Sequence, residues 1–484
     1  MRVSTFACTI LLATRALGQA SEPQPPLAIP TEEALRARLS EGLAAPALSG
    51  ARIGALVAAV ATGHVLFARD EWLPLNPASN VKLATTAAAL ALLGPEYRFR
   101  TVLAGERRGA GPSVRGNLYL HGMGDPTLVT ESLHALATEL RAAGVREVEG
   151  GLVVDDRFFD PPPLQDDERA DADAGYRAPC GALSLNYNTV RVVVRPGPSE
   201  GADADVTVLP SSDYFAVTGR ISTVARGAAR VDVRALPQAE RTELAISGQV
   251  PLGAAPIEVR KRVVHPARYA GHTLLRVLSR HGITVAEKTV RPGETPPGLG
   301  VLASRESEPL SVLIRDVNKV SSNVMANQVL LAIGAERRGT PGTFAKGIQA
   351  VEEHLASMGI PRRGFHLASG SGLDSETRLD AVTLVAMLRA AARDFRYAAD
   401  FMASLAVAGA DGTLSRRMAG SPAERYVRAK TGTLQGVVAL SGYAAGPRRG
   451  LLAFAVIVNG APSGPDARRA VDDFAAALAT YLSR

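Results

Sequence analysis

The chain has 484 residues, room for about three ordinary domains, and 46% hydrophobic with 21% charged residues exclude a long disordered chain or a coiled coil. With only 12 Phe, 10 Tyr and 1 Trp, the cores must be built from Ala, Leu and Val, and an aromatic RNA-binding platform is not expected. The net charge of +7 is spread without a run of five basic residues, so no nucleic acid partner is expected.

The N-terminus reads as an export leader. Arg2 precedes a short apolar stretch, and Gly18-Gln19-Ala20 offers small residues for cleavage near Ala20. The expected product is periplasmic or otherwise exported, with leader 1–20 removed and Cys180 as its one cysteine. Cys180 then reads as a small packed residue. No segment reaches ~18 uninterrupted apolar residues, so membrane association is expected to be at most peripheral.

After a Pro-rich lead-in, Thr31 caps a helix with Glu32 and Glu33 in its first turn. Two strand-like runs, from Arg52 and from His64, flank Ala61-Thr62-Gly63, a hairpin signal. An Ala/Leu-rich helix follows Asn76-Pro77-Ala78 and stops at Gly94-Pro95. From about 98 to 261, short Val-rich runs alternate with Gly, Pro and Asp turns, which predicts a mostly β insertion with two subdomains. Helix and strand signals then alternate to the C-terminus, ending in a strand at 451–458 and a helix at 467–482. The expected division is 26–97 and 262–484 for one domain and 98–261 for the insertion.

Lysine is rare: six of the 54 basic residues. Ser79-Asn80-Val81-Lys82 is the one Ser-x-x-Lys in the chain and opens a predicted helix, where i and i+3 share a face. A serine hydroxyl needs a base within hydrogen-bond reach, and a desolvated lysine one turn on can serve. Lys430-Thr431-Gly432-Thr433 lies on a strand-like segment, where a glycine permits close approach to a peptide and Lys and Thr supply charge and hydroxyls for a carboxylate. Ser-x-Asn occurs at Ser184-Leu185-Asn186 and at Ser321-Ser322-Asn323; the second, beside a predicted helix, is chosen. Gly197-Pro198-Ser199-Glu200-Gly201 lacks the helix a nucleophile elbow needs and reads as a turn. The eight histidines form no metal motif, so neither metal nor organic cofactor is called for.

In this order the three motifs are the signature set of penicillin-binding proteins and serine β-lactamases. The chain resembles the D-alanyl-D-alanine carboxypeptidase/endopeptidase family of penicillin-binding proteins that carry a large insertion. The segments 122–128, 181–188, Gly370-Ser-Gly-Leu373 and 404–414 add to the match, and 242 residues separate Ser79 from Ser321, room for the insertion. The resemblance implies an α+β transpeptidase-like domain, an antiparallel sheet covered by helices, interrupted by a mostly β insertion.

It also implies roles. Ser79 attacks the penultimate D-Ala carbonyl of a peptidoglycan stem peptide while Lys82 takes its proton. Ser321 and Lys430 pass a proton to the leaving amine, and the N–H groups of Ser79 and Thr433 hold the oxyanion. Asn323 orients the peptide, and Thr431 and Thr433 on either side of Gly432 bind its terminal carboxylate. β-Lactam antibiotics are implied as inhibitors. Related enzymes place an insertion Asp near the third stem residue, which selects Asp155 here, with Asp156 as the alternative. Two departures stand out: residue 369 is Ser where the family usually has Asp, and Ser322 replaces the Asp of Ser-Asp-Asn. The rival readings are a serine β-lactamase and a non-catalytic peptidoglycan-binding protein. The first lacks the Glu-x-x-x-Asn that such enzymes carry after Ser-x-Asn.

Overall fold

A computed structural model describes residues 31–107, 109, 111–162 and 171–483. The expected leader lies outside the described residues. Among them, no helix is long and apolar enough to cross a membrane.

Both ends of the chain build one six-stranded antiparallel sheet. Its order is Ala406–Val407, Val427–Leu434, Val437–Ala444, Leu452–Asn459, Arg52–Ala59 and Val65–Arg69. Leu452–Asn459 is buried along nearly its whole length, as a central strand with both faces covered must be. Helix Glu32–Leu43, capped by the Thr31 hydroxyl, and helix Gly464–Leu482 pack on one face. Val471, Phe474, Leu478 and Leu482 of the latter are all buried there. The helices Val81–Leu93, Asn323–Arg338 and Ala381–Arg393 cover the other face. Ala and Leu make helix Val81–Leu93 narrow and apolar on most sides, so it can run through the middle of this layer.

The insertion has a core of its own. A seven-stranded mixed sheet includes Arg100–Arg107, Ser113–Gly122, Leu152–Asp155 and Gly300–Glu306. Helices Thr130–Ala142 and Pro266–Arg280 pack on it. Two three-stranded sheets complete the insertion, one of them Ile257–Arg262, Thr189–Arg195 and Asp205–Leu209.

The boundary expected after 261 therefore moves to about 306. Helix Pro266–Arg280 turns Ala270, Leu274, Val277 and Leu278 into the insertion core, and strands 284–285, 290–292 and 300–306 extend its sheet. Periodicity shows that a helix has an apolar face; it does not show which sheet that face meets.

Candidate active site

The nucleophile turn is pinned to the sheet before the helix begins. Asn76 N–H donates to Asn459 Oδ1 (2.9 Å), and Asn459 Nδ2 donates back to the Asn76 carbonyl (2.9 Å). Asn76 Oδ1 then accepts from Ala78 N–H (2.8 Å), and Ala78, fully buried, takes a left-handed φ of 46° that throws the chain into helix Val81–Leu93. Ser79 sits in this turn. Gly432 makes room for it, since a Cβ there would lie 2.6 Å from the Pro77 carbonyl oxygen and 2.8 Å from Asn80 Nδ2. The close approach that the motif's glycine allows is thus to the nucleophile turn as well as to a substrate.

Lys82 is fully buried one helical turn on. Its Nζ lies 2.8 Å from Ser79 Oγ, 2.8 Å from Asn323 Oδ1 and 2.6 Å from the Ser371 carbonyl oxygen. Burial, and then the charge of Lys430, hold its pKa well below the ordinary lysine value. A neutral amine has two N–H bonds and one lone pair. Two of the three neighbours are obligate acceptors, so in the neutral form the lone pair would be left for the Ser79 hydroxyl proton.

Ser321 follows a single π-helical turn, Asp316–Val320, and takes a left-handed φ of 65°. Ser322 accepts from Met325 N–H and caps helix Asn323–Arg338, which accounts for its place in the motif without an acid. Lys430 Nζ, also fully buried, donates to Ser321 Oγ (2.9 Å) and to the Thr431 carbonyl (2.8 Å). Burial, with the Arg417 charge behind it, brings its pKa down to about 7. Strand Val427–Leu434 is paired on its outer side only from Val427 to Ala429, so the edge from Lys430 to Leu434 is open toward the cleft. An extended peptide can add to such an edge.

These groups meet at one cavity of about 1110 Å³, lined by Ser79, Ser321, Asn323 and Thr433 and, from the insertion, by Asp171 and Tyr176. Lys82 and Lys430 lie beneath its floor. Thr431 is turned aside, its hydroxyl donating to Thr413 Oγ1 (2.9 Å).

Asp155 is not brought to this cavity. It is 1% exposed, with His121 Nδ1 at 3.1 Å, Arg157 Nε at 3.1 Å and the Thr295 N–H at 2.7 Å. Burial opposes its ionisation, yet these partners hold the carboxyl below the usual range. At the end of its strand the carboxylate is taken up by these three partners, beside a separate cavity of about 770 Å³ that His121, Arg157 and Phe158 also line. Asp156 does not line the cavity either. Asp171 does, half-exposed and joined to Tyr176 Oη and to Arg177 (3.2 Å). The other Ser-x-Asn is internal scaffolding: Ser184 Oγ donates to the Gly181 carbonyl, and Asn186 Nδ2 to Thr130 and Tyr269. Cys180 is packed against Val324, and burial pushes its thiol up to about 12.

A family model described as D-Ala-D-Ala carboxypeptidase 3 (S13) matches residues 35–479. The chain belongs to that family. A D-alanyl-D-alanine carboxypeptidase of Actinomadura sp. (strain R39) is 39% identical over 465 residues, 92% of this S13 peptidase and 85% of the relative. The D-alanyl-D-alanine carboxypeptidase DacB of Haemophilus influenzae is 26% identical over 395 residues, 80% of this chain and 81% of that one. The crystal structure of penicillin binding protein 4 (dacB) from Haemophilus influenzae shares the fold, with TM-score 0.76 at 24% identity over 90% of this chain and 97% of that one. The resemblance, the fold class and the serine peptidase activity read from the motifs are borne out.

Sequence reasoning missed three parts of this S13 site. The Ser371 carbonyl that holds Lys82 carries no side-chain signal. The Tyr176 carbonyl, which accepts from Asn323 Nδ2 (3.1 Å), ties the insertion to the Ser-x-Asn at 321–323. The third lies at Ser369, where the family usually has Asp. Ser369 Oγ accepts from Ser371 and Gly372 N–H (3.3 and 3.1 Å) and donates to Asp374 Oδ2 (2.6 Å). A carboxylate five residues on stands behind the loop that carries the Ser371 carbonyl.

Proposed function

We propose that this S13 peptidase, exported by its leader, acts on peptidoglycan stem peptides with Ser79 as the nucleophile. The peptide lies along the open edge at Lys430–Leu434, and its terminal carboxylate meets Thr433, with Thr431 and the charge of Lys430 behind. Neutral Lys82 accepts the Ser79 proton as Oγ attacks the penultimate D-Ala carbonyl. The N–H groups of Ser79 and Thr433 stabilise the oxyanion. The nitrogen of the leaving D-Ala takes a proton through Ser321 and Lys430 as the C–N bond breaks. Water then adds to the acyl-enzyme and frees Ser79. The same addition to a β-lactam opens the ring, whose amine stays attached and blocks the water, so such antibiotics inhibit. Release of terminal D-Ala and cleavage of cross-links both fit this scheme.

The observation that carries this reading is the geometry at Lys82, a fully buried amine 2.8 Å from Ser79 Oγ with two carbonyl oxygens as its other neighbours. Burial lowers its basicity, and a neutral amine donating to those two oxygens would keep its lone pair for Ser79. For the free amine of the third stem residue, Asp171 at the cavity wall takes the role first given to Asp155. No glutamate after Asn323, including Glu376 at the cavity wall, has an Asn four residues on, the pattern of enzymes that deacylate through a separate glutamate, which argues against fast β-lactam turnover. Digestion of purified muropeptides, read by mass spectrometry, tests the proposal. Products shortened by one D-Ala, absent with Ser79→Ala, support it; unchanged muropeptides, or equal turnover by Ser79→Ala, overturn it.

A further inference from the structure

The insertion carries a groove of about 420 Å³ between helix Pro266–Arg280 and the sheet containing Thr189–Arg195 and Ile257–Arg262. Four arginines line it, Arg191, Arg260, Arg276 and Arg280, against one acid, Glu131. Their placement works against stability. Arg191 and Arg260 are direct cross-strand partners on one face, and like charges directly opposite each other destabilise a sheet. Arg276 and Arg280 stand at i and i+4 on the helix, again a like-charge pair, although the helix end favours Arg280. Glu258 answers Arg191 (3.4 Å) and Asp213 answers Arg276 (3.2 Å), both at exposed positions. Arg260 and Arg280, both exposed, have no carboxylate partner among the described residues. Tyr187, an exposed aromatic also lining the groove, sits in a left-handed conformation (φ 58°, ψ 26°). Strain at a non-glycine residue persists where the surroundings enforce it and gathers at binding sites.

We propose that this groove binds carboxylate groups of a peptidoglycan peptide strand that is not being cleaved. Guanidinium forks match carboxylates in paired hydrogen bonds, which suits arginine here better than lysine. The connection to the active site favours this polymer as the source. Arg260 faces the groove, while the next residue, Lys261, pairs with Asp173 (2.8 Å) and with Ala174 through the backbone. That segment continues to Tyr176, whose carbonyl holds Asn323. One strand thus borders the groove through Arg260 and ties, through Lys261, to the segment that walls the cavity. The proposal rests on peptidoglycan as the substrate and adds a holding site to it.

The test is retention of the mature chain on insoluble peptidoglycan, comparing wild type with Arg260→Gln/Arg280→Gln. Three preparations are used: untreated, carboxylates amidated, and phosphate polymers stripped. Wild type should be retained on untreated and stripped material and about fivefold less on the amidated one. The double variant should lose about fivefold on untreated material at low salt, a difference that shrinks as salt screens the charges. Arg260→Lys/Arg280→Lys, which keeps the charge and relieves any folding concern, should recover part of the loss. Penicillin acylation is measured in parallel and should be the same in all variants. Its failure in wild type would refute the proposed function and leave the groove to be judged by retention. Equal retention of wild type and the Gln variant overturns the groove, and so does binding that survives amidation but vanishes with the phosphate polymers.

Discussion

Exchanging Ser369 and Asp374 tests how the base is held. Asp374 accepts from the Ser369 hydroxyl (2.6 Å) and from Thr377 and Glu376 N–H (2.7 and 3.0 Å), and Ser369 in turn carries the loop whose Ser371 carbonyl lies 2.6 Å from Lys82 Nζ. A hydrogen bond to a charged acceptor contributes roughly 1.5–3 kcal/mol, so Asp374→Ser should slow acylation by about 10- to 150-fold as the carbonyl drifts from the amine. Ser369→Asp alone sets two carboxylates across that 2.6 Å gap. Unit charges about 4 Å apart near a protein surface repel by about 4 kcal/mol, so this variant should lose at least as much. The double exchange returns one carboxylate and one hydroxyl to the gap and should recover to within about fivefold of wild type, a strong coupling between neighbours. Stopped-flow acylation by a fluorescent penicillin reads the rates, with near-ultraviolet circular dichroism to follow the fold. A double variant no faster than the slower single variant would refute the relay.

Other outcomes follow from the same site. Lys430 loses its proton at about 7 in the fold but near 10.4 when unfolded, so its burial costs stability at low pH and the cost fades as pH rises between those values. Lys430→Met should therefore raise the melting temperature more at pH 6 than at pH 10 while abolishing acylation; a pH-independent difference would contradict this. Asp171→Asn should slow substrates with a free amine on the third stem residue by up to about fivefold, the size expected of a half-exposed ion pair, and leave penicillin acylation unchanged. Asp155→Asn should lower the melting temperature without any such selectivity, and amine-selective loss there would reverse the two assignments. Ser321→Ala should cut acylation by roughly 10²-fold, whereas Ser184→Ala should act on stability alone; equal effects on acylation would undo the choice between them.

The legible parts of the molecule were those written in short spacings. Ser79 and Lys82 are one helical turn apart, and Lys430 to Thr433 are consecutive on a strand, so local geometry follows from sequence. The illegible parts are contacts across the fold. Lys82 meets the Ser371 carbonyl across 289 positions, through a backbone atom that every residue has. Asp171 lines the cavity that holds Ser79 and Asp155 does not, a difference set by contacts across the fold that the local sequence does not reveal. Helix Pro266–Arg280 showed its apolar stripe plainly, but the partner of that stripe is the insertion core. The Ser at 369 stood out only as a departure because its partner carboxylate, Asp374, is recognisable only in the folded loop.

Mass mapping after reaction with penicillin tests the central claim most directly, that Ser79 is the acylated nucleophile with Lys82 as its base. The account predicts one long-lived adduct per chain, located on the peptide containing Ser79, absent from Ser79→Ala and slowed by orders of magnitude in Lys82→Ala with the fold intact. An adduct on another residue, or undiminished labelling of Ser79→Ala, would contradict it.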